Sequence, residues 1–472
     1  MPLLNGLQFC FRMNETSGNR VDSVGGLQLS PTGTIGSAAG KFGNAVDIAN
    51  ASRLVATVYT AVYRGAGSFT VACWFNPDTI NLGSAYPVIR WNGGGTARDY
   101  SLAVSTAGTA RFEVTTTTGS VIANTPAGTI TTGQWYLLVG WYDATVGTNG
   151  TAYIQVNGGD IYSIALTGPR ENIDTSTLLA IGQGNYGFTP FGATDGKVDQ
   201  VCKWSRVLTA AERAELWSDG IGKAFPFVTG IGGEVGWWCP SLDDAGNGTT
   251  NLLDLSGNDN RGTLTNMDPA TDWVANTSNG GFRALDFDGV NDWVNLGTGS
   301  QLNIGQVLSY SFWFNARALA NLMLSMWDSV AGVNQRTIIH NFSGNSVRQY
   351  WSPDGLSDGT FIISNAVTAD TWNHVASIYR SGFRELWVNG TLQSTFSQAT
   401  IYTGATTSRL AFGALAGRNN DSVSSFFNGN SDDIRLFNRP LLQSEIANLA
   451  SKRGYQPTPN TRRRRYSGSY GL

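Results

Sequence analysis

Thr371-Trp-Asn-His-Val-Ala-Ser-Ile-Tyr-Arg-Ser-Gly-Phe-Arg-Glu-Leu-Trp-Val-Asn-Gly-Thr-Leu-Gln393 is the stretch from which the rest of the chain can be read. It holds an apolar segment of strand length, a polar turn, a second strand and an Asn-Gly pair. In the second strand Leu386 and Val388 face one way, and Glu385, Trp387 and Asn389 the other. Such alternation marks a strand with one buried face. A twin lies at Gly133 to Asp160, opening on Gln134-Trp135-Tyr136 and closing on Tyr153-Ile-Gln-Val-Asn-Gly158. There Ile154 and Val156 oppose Tyr153, Gln155 and Asn157. Asn157-Gly158 and Asn389-Gly390 both suit type I′ turns, whose two central residues need positive φ.

The repeat extends outward in both directions. Ser68 to Asn76 matches Leu308 to Asn315, which aligns Trp74 with Trp313 and Phe75 with Phe314. Gly43 to Ile48 matches Phe282 to Phe287, so Asp47 sits where Asp286 sits. Leu179-Ala-Ile-Gly182 matches Leu410-Ala-Phe-Gly413, and Gly196 to Arg206 matches Gly429 to Arg439. Asp199 pairs with Asp432, Arg206 with Arg439 and Glu212 with Glu445. Separate blocks in one order mean that one module occurs twice, over residues 1–226 and 234–452. A short linker, 227–233, joins them, and a basic tail, 453–472, follows.

Composition agrees. The 472 residues include 15 Trp and 58 Gly but only 8 Glu and 5 Lys, so long surface helices are not expected. Short apolar runs separated by Gly, Asn, Asp and Ser point to an all-β chain of two sandwiches, each able to bury its own core. No apolar run is long enough to span a membrane. Met1-Pro-Leu-Leu-Asn-Gly lacks a basic, then apolar, leader, so no secretory signal is expected. Thr209-Ala-Ala-Glu212 fits a capping box opening a short helix. Its counterpart keeps Glu445 but not the capping Thr, leaving that start open between Leu442 and Ser444. The cysteines Cys10, Cys73, Cys202 and Cys239 do not repeat with the module as a disulfide framework would, so buried free thiols are expected.

With the blocks assembled, each half resembles a laminin-G-like module of the concanavalin A-like lectin/glucanase superfamily. The residues that carry the likeness are Ala284 to Val294, Tyr310-Ser-Phe-Trp-Phe314, Trp372-Asn-His-Val-Ala376, Leu386-Trp-Val-Asn-Gly390 and Asp432 to Leu441. The first half departs from it by replacing the Phe-Asp-Gly-Val-Asn-Asp segment with Ile48-Ala-Asn-Ala-Ser52. The resemblance implies two tandem jelly-roll β-sandwiches that bind carbohydrate or protein, sometimes with calcium near the rim.

Chemistry-bearing residues are few. No Glu-x-Asp-x-Glu strand occurs, the eight Glu are scattered, and the two His, His340 and His374, cannot serve a repeated triad. Gly36-Ser-Ala-Ala-Gly-Lys41 falls one residue short of a phosphate loop. No catalytic residue is therefore assigned. Asp286, Asp288, Asn291 and Asp292, with Asp432 from the late strand, offer oxygens to Ca2+; the alternative is an Asp-Gly hairpin with a capping Asp. No cofactor is required. Asp199 and Asp432 can equally be structural, bonded to backbone N–H groups or paired with Arg206 and Arg439. For glycan binding, Trp387, Trp351 and Trp293 are the candidate stacking platforms, with Asn389 beside them, against a core role for each Trp. Trp74, Trp313, Trp135 and Trp372 repeat and are read as core.

The tail carries Arg462, Arg463, Arg464 and Arg465. Residues 451–472 hold +6 of a net −3 (Lys452, Arg453 and the four Arg, no acid), leaving −9 on the remainder. That polarity suits anchoring to an acidic structural partner or a neighbouring subunit, against a solvated tail, and argues little for nucleic acid. The leading expectation is a non-enzymatic glycan- or protein-binding adhesion protein, extracellular or on a virion surface as a decoration, fibre or host-attachment component. A cell-surface glycan or a structural protein is the expected partner, with assembly into a homo-oligomer. A polysaccharide hydrolase and a purely structural assembly protein are the alternatives.

Overall fold

The computed structural model describes residues 2–49, 52–56, 67–80, 83–92, 98–171, 177–186, 189–192, 194–275, 283–304, 308–328, 335–380, 382–416 and 423–457. Among these, short antiparallel strands dominate, with two α-helices, Ala210–Trp217 and Gln443–Ser451. The chain divides into two compact units: Met1–Phe227 with Leu242–Leu253, and Val228–Ser241 with Asp254–Leu472. No described helix is long and apolar enough to cross a membrane.

In the first unit one sheet runs Ile161–Ala165, Thr151–Val156, Tyr136–Asp143, Phe69–Pro77, Gly196–Trp204, Asn44–Ile48, Ile35–Ala39, and Leu7–Phe11 also pairs with Gly196–Trp204. The other runs Gly119–Asn124, Ala110–Thr116, Arg98–Val104, Ala85–Asn92, Thr177–Gly182, Arg53–Ala56, Gln28–Thr32, Arg20–Val21. Val71, Phe75, Leu138, Ile154 and Val198 of the first sheet meet Val88, Leu102, Phe112 and Leu179 of the second in one core. This is the packing expected when alternate residues of two sheets turn inward.

The second unit repeats that order strand for strand. Thr391–Ser397, Phe383–Val388, Trp372–Arg380, Ser309–Ala316, Asn428–Phe437, Arg283–Asp288 and Trp273–Ala275 form one sheet, and Glu234–Trp238 also pairs with Asn428–Phe437. The facing sheet includes Ile362–Ala366, Ser346–Trp351, Gln335–Ser343, Leu322–Asp328, Arg409–Phe412, Trp293–Thr298 and Gly262–Thr265. Phe287, Phe312, Phe412 and Phe427 interlock between them, with ring centroids 5.5–6.0 Å apart. These are two tandem jelly-roll sandwiches. Even the irregularities repeat. The ladder slips beside Asp199 and again beside Asp432, with Gln200 at φ 42° and Asp433 at φ 52°. One extra residue in each strand makes a bulge and turns the strand locally.

The turn reading holds: φ is 52° and 66° at Asn157-Gly158, and 50° and 76° at Asn389-Gly390. Each Asn also braces its own hairpin, accepting the Leu137 N–H at Asn157 Oδ1 and the His374 N–H at Asn389 Oδ1, both at 2.8 Å. Thr209 and Glu212 cap each other reciprocally. In the second unit the open boundary falls at Leu442, whose N–H donates to Glu445 Oε2 at 2.8 Å. Arg206 and Arg439 do not pair with Asp199 and Asp432; each clasps its helix glutamate, Glu212 or Glu445, through both carboxylate oxygens.

Three further expectations are corrected. Cys10 and Cys202 are not free thiols but a disulfide. Leu7–Phe11 lies antiparallel to Gly196–Trp204 with Cys10 opposite Cys202 and Cα atoms 4.1 Å apart, a pairing that repeat logic does not reveal. Cys73 and Cys239 are free and buried. Trp74 and Trp313 are core, but Trp135 and Trp372, at the mouths of their hairpins, are only half-buried. Finally, Arg453 belongs to the second sandwich rather than to a tail. It is buried, lies 3.9 Å over the Trp372 ring and is 3.5 Å from Asp432. Arg462 to Arg465 lie outside the described residues.

Candidate functional site

Where the braced hairpin of the second unit ends, its edge leaves an open groove of about 330 Å³. Its lining is Asn365, Ala366, Val367, Thr368, Asn373, Val388, Asn389, Thr391 and Gln393. Five pieces of backbone supply these residues: the strand Ile362–Ala366 with its following loop, the start of Trp372–Arg380, the end of Phe383–Val388, the Asn-Gly turn, and the start of Thr391–Ser397. The two sheets meet here. Ser394 Oγ donates to the Ile363 carbonyl at 2.5 Å, and the Asn365 N–H donates to Gln393 Oε1 at 3.1 Å.

The groove's amides are held in a relay. Asn389 Nδ2 donates to Asn373 Oδ1 at 3.1 Å, and Asn373 Nδ2 donates to the Thr371 carbonyl at 3.0 Å and the Thr368 carbonyl at 3.4 Å. Gln393 Nε2 donates to the Thr391 carbonyl at 3.2 Å. Asn373 is buried and its polar atoms are spent on the protein. Asn365, Thr368 and Thr391 are exposed, and their side chains make no hydrogen bond among the described residues. The floor is fixed by the protein's own hydrogen bonds, and the rim is available to a ligand. No lining side chain is charged. A glycosidase needs two carboxylates across its groove, and this one presents none.

Of the residues singled out in the sequence, only Asn389 lines this groove. The three Trp candidates are corrected by burial. Trp351 and Trp293 are each 2% exposed and Trp387 is 7% exposed, so none presents a ring face to a sugar. Trp351 donates its Nε1–H to the Tyr310 hydroxyl at 3.0 Å within the sandwich. Trp387 does face away from Leu386 and Val388, but that side of the sheet is not open. The helix Gln443–Ser451 covers it, packing Ile446 and Leu449 against Trp387, Ala376, Ile378 and Phe437.

The calcium constellation is also corrected. Asp286 is paired with Arg317 at 2.5 Å and accepts Asn430 Nδ2 at 3.0 Å. Asp288 accepts the Val290 and Asn291 N–H groups, and buried Asp292 accepts the Asp288 N–H at 3.0 Å. This is the hairpin with its capping Asp, and Asn291 sits in that turn, its N–H donating to Asp288 Oδ1 at 3.2 Å. Asp432 is fully buried, accepting the Ser241 N–H at 3.2 Å and the Asp433 N–H at 2.9 Å. Burial, then the Asp433 charge, pushes its carboxyl up to about 7, against Arg453. Among the described residues no three His, Cys, Asp or Glu converge as metal ligands would. His340 and His374 are buried, with pKa values lowered to about 3 by desolvation, and so are core imidazoles rather than bases.

The rim residues Asn365, Thr368, Thr391 and Gln393 carry no sequence signal that finds them. They become one site only through the meeting of strands remote in the chain. The nearest hint is the Asn-Gly pair itself.

A family profile described as the concanavalin A-like lectin/glucanases superfamily matches residues 50–212 and 288–447. No curated protein matches the chain. Among solved structures, domain 4 of AbnA, a GH43 extracellular arabinanase from Geobacillus stearothermophilus in complex with arabinotriose, is similar at 17% identity; the alignment covers 46% of this chain and 98% of that one, with a TM-score of 0.33. The binding domain of botulinum neurotoxin DC in complex with SialylT is similar at 10% identity over 96% of this chain and 98% of that one, TM-score 0.37. The CBM40 of the Ruminococcus gnavus IT-sialidase bound to α2,3-sialyllactose is similar at 15% identity over 35% and 96%, TM-score 0.30.

Proposed function

The chain belongs to the laminin-G-like family of the concanavalin A-like lectin/glucanases superfamily, and on that premise we propose that it is a non-catalytic glycan-binding protein. The observation that carries this reading is the amide groove of the second unit. Its floor is set by the protein's own hydrogen bonds, and its rim offers unspent amide and hydroxyl groups. Sugar hydroxyls both donate and accept, and Asn, Gln and Thr side chains can answer in either sense. The groove lacks the carboxylate pair that cleavage requires, which favours binding over hydrolysis. In the same reading the protein acts outside the cell, as an attachment component on a virion, with Arg462 to Arg465 as its anchor to an acidic partner.

A glycan array probed with the purified chain tests the binding, with release of reducing ends followed on each glycan that binds. Selective binding without cleavage is the expected result. Cleavage would restore the hydrolase reading, and binding to no glycan would shift the protein to structural assembly.

A further inference from the structure

We infer that the groove bounded by Asn365, Asn373, Asn389 and Thr391 takes one uncharged, hydroxyl-rich sugar per chain without a metal ion, and that the first module does not reproduce the site. The inference rests on the glycan-binding reading and sharpens it to a place and a ligand class.

Charge decides the ligand class. Every lining residue is neutral. A sugar carboxylate in the groove would give up part of its hydration and find no cation in return. A calcium ion would find amide and hydroxyl oxygens but no carboxylate to neutralise it. A neutral sugar meets neither penalty. Its hydroxyls can reach the Asn365 amide, the Thr368 and Thr391 hydroxyls and the second Nδ2 hydrogen of Asn389, all at the exposed rim.

The number of sites follows from the repeat. Trp135 aligns with Trp372, and the sheet register agrees: Tyr136 lies opposite Phe75 as Asn373 lies opposite Phe314. Tyr136 therefore stands where the second module has Asn373. It is buried, and its hydroxyl is engaged by the Thr131 N–H at 3.1 Å and by Thr131 Oγ1 at 2.8 Å. The amide relay is lost with it. The hairpin ends differently as well. Val388 pairs directly with Thr391 across a two-residue turn, whereas in the first module the ladder resumes only at Gln155 with Ile161. The first module therefore has neither the amide relay nor the two-residue turn that shape the groove in the second.

The test uses the full chain and saturation-transfer NMR with the methyl glycosides of glucose, galactose, mannose, arabinose and N-acetylglucosamine. The methyl glycoside of N-acetylneuraminic acid is the charged control, every titration is repeated in EDTA, and calorimetry gives the stoichiometry. At least one neutral glycoside should bind at one site per chain, equally well in EDTA. Asn365→Ala and Thr391→Val, both at exposed positions, should each weaken it about tenfold, the usual scale for one hydrogen bond. Asn373→Tyr, which copies the first module, should abolish binding; if that variant does not fold, the two rim variants decide. Binding of neutral sugar that is unchanged in the rim variants, equal at two sites, lost in EDTA or outcompeted by the N-acetylneuraminic acid glycoside overturns the inference while leaving glycan binding in place. Binding of no glycan overturns the functional reading itself.

Discussion

Asp99 shows how much one residue can hold. Its carboxylate is pinned between two buried guanidinium groups, Arg90 and Arg170, the latter at 2.6 Å. Arg170 also lies 4.7 Å over the Phe69 ring. Removing the carboxylate takes a buried charge from between two guanidinium groups, so Asp99→Ala should cost about 3–5 kcal/mol in chemical denaturation. Asp78→Ala, which breaks the exposed pair with Lys197, should cost no more than about 1 kcal/mol. Asp199 gives a pH dependence. Burial raises its carboxyl to about 7, only partly offset by the Phe42 N–H it accepts at 2.8 Å. A carboxyl raised above its unfolded value, about 3.9, contributes stability that is complete below that value and is lost as pH rises through 7. Asp199→Asn should therefore melt above the parent at pH 8, and the difference should shrink as pH falls and close only below about pH 4. His340 and His374, lowered to about 3, act with the opposite sign: their contribution is present above about 6.5 and falls away below it. The comparison with Asp199→Asn is made at fixed pH, so their contribution cancels.

At the scale of elements, strand alternation separates Leu386 and Val388 from Trp387 correctly but cannot say what lies on Trp387's side. The answer is the helix Gln443–Ser451, whose Ile446 and Leu449 seal that face. Trp387→Ala should accordingly destabilise the second unit by about 3–5 kcal/mol, read as a lowered denaturant midpoint, rather than leave a folded protein that has lost a ligand. The hairpins, their Asn-Gly turns and the Thr209 cap are legible in the sequence because each depends on residues close together in the chain. The Cys10–Cys202 bond and the groove are not, because strand pairing at long range brings their parts together. Asn389 is visible as a turn residue; Asn365, Thr391 and Gln393 are three polar residues among many until two sheet edges meet.

For the whole molecule, the internal repeat makes the two sandwiches legible in the sequence, and both units reproduce one strand order down to the bulges at Gln200 and Asp433. What repetition cannot show is where the copies diverge in use. Tyr136 against Asn373 is one such place, and the end of the second unit is another. Arg453 is fastened to Trp372 and Asp432, and the Gly454 N–H donates to Asp433 Oδ2 at 2.9 Å. Arg453→Ala should accordingly destabilise the second unit by about 1–3 kcal/mol, read as a lowered denaturant midpoint.

The most direct test of glycan binding at the second unit's edge is hydrogen–deuterium exchange of the full chain with and without a glycan selected from the array, in EDTA. The account predicts new protection at residues 362–368 and 388–393 and none across Asp286 to Asp292. Protection centred on that aspartate turn, or on the hairpin of the first unit, would contradict it.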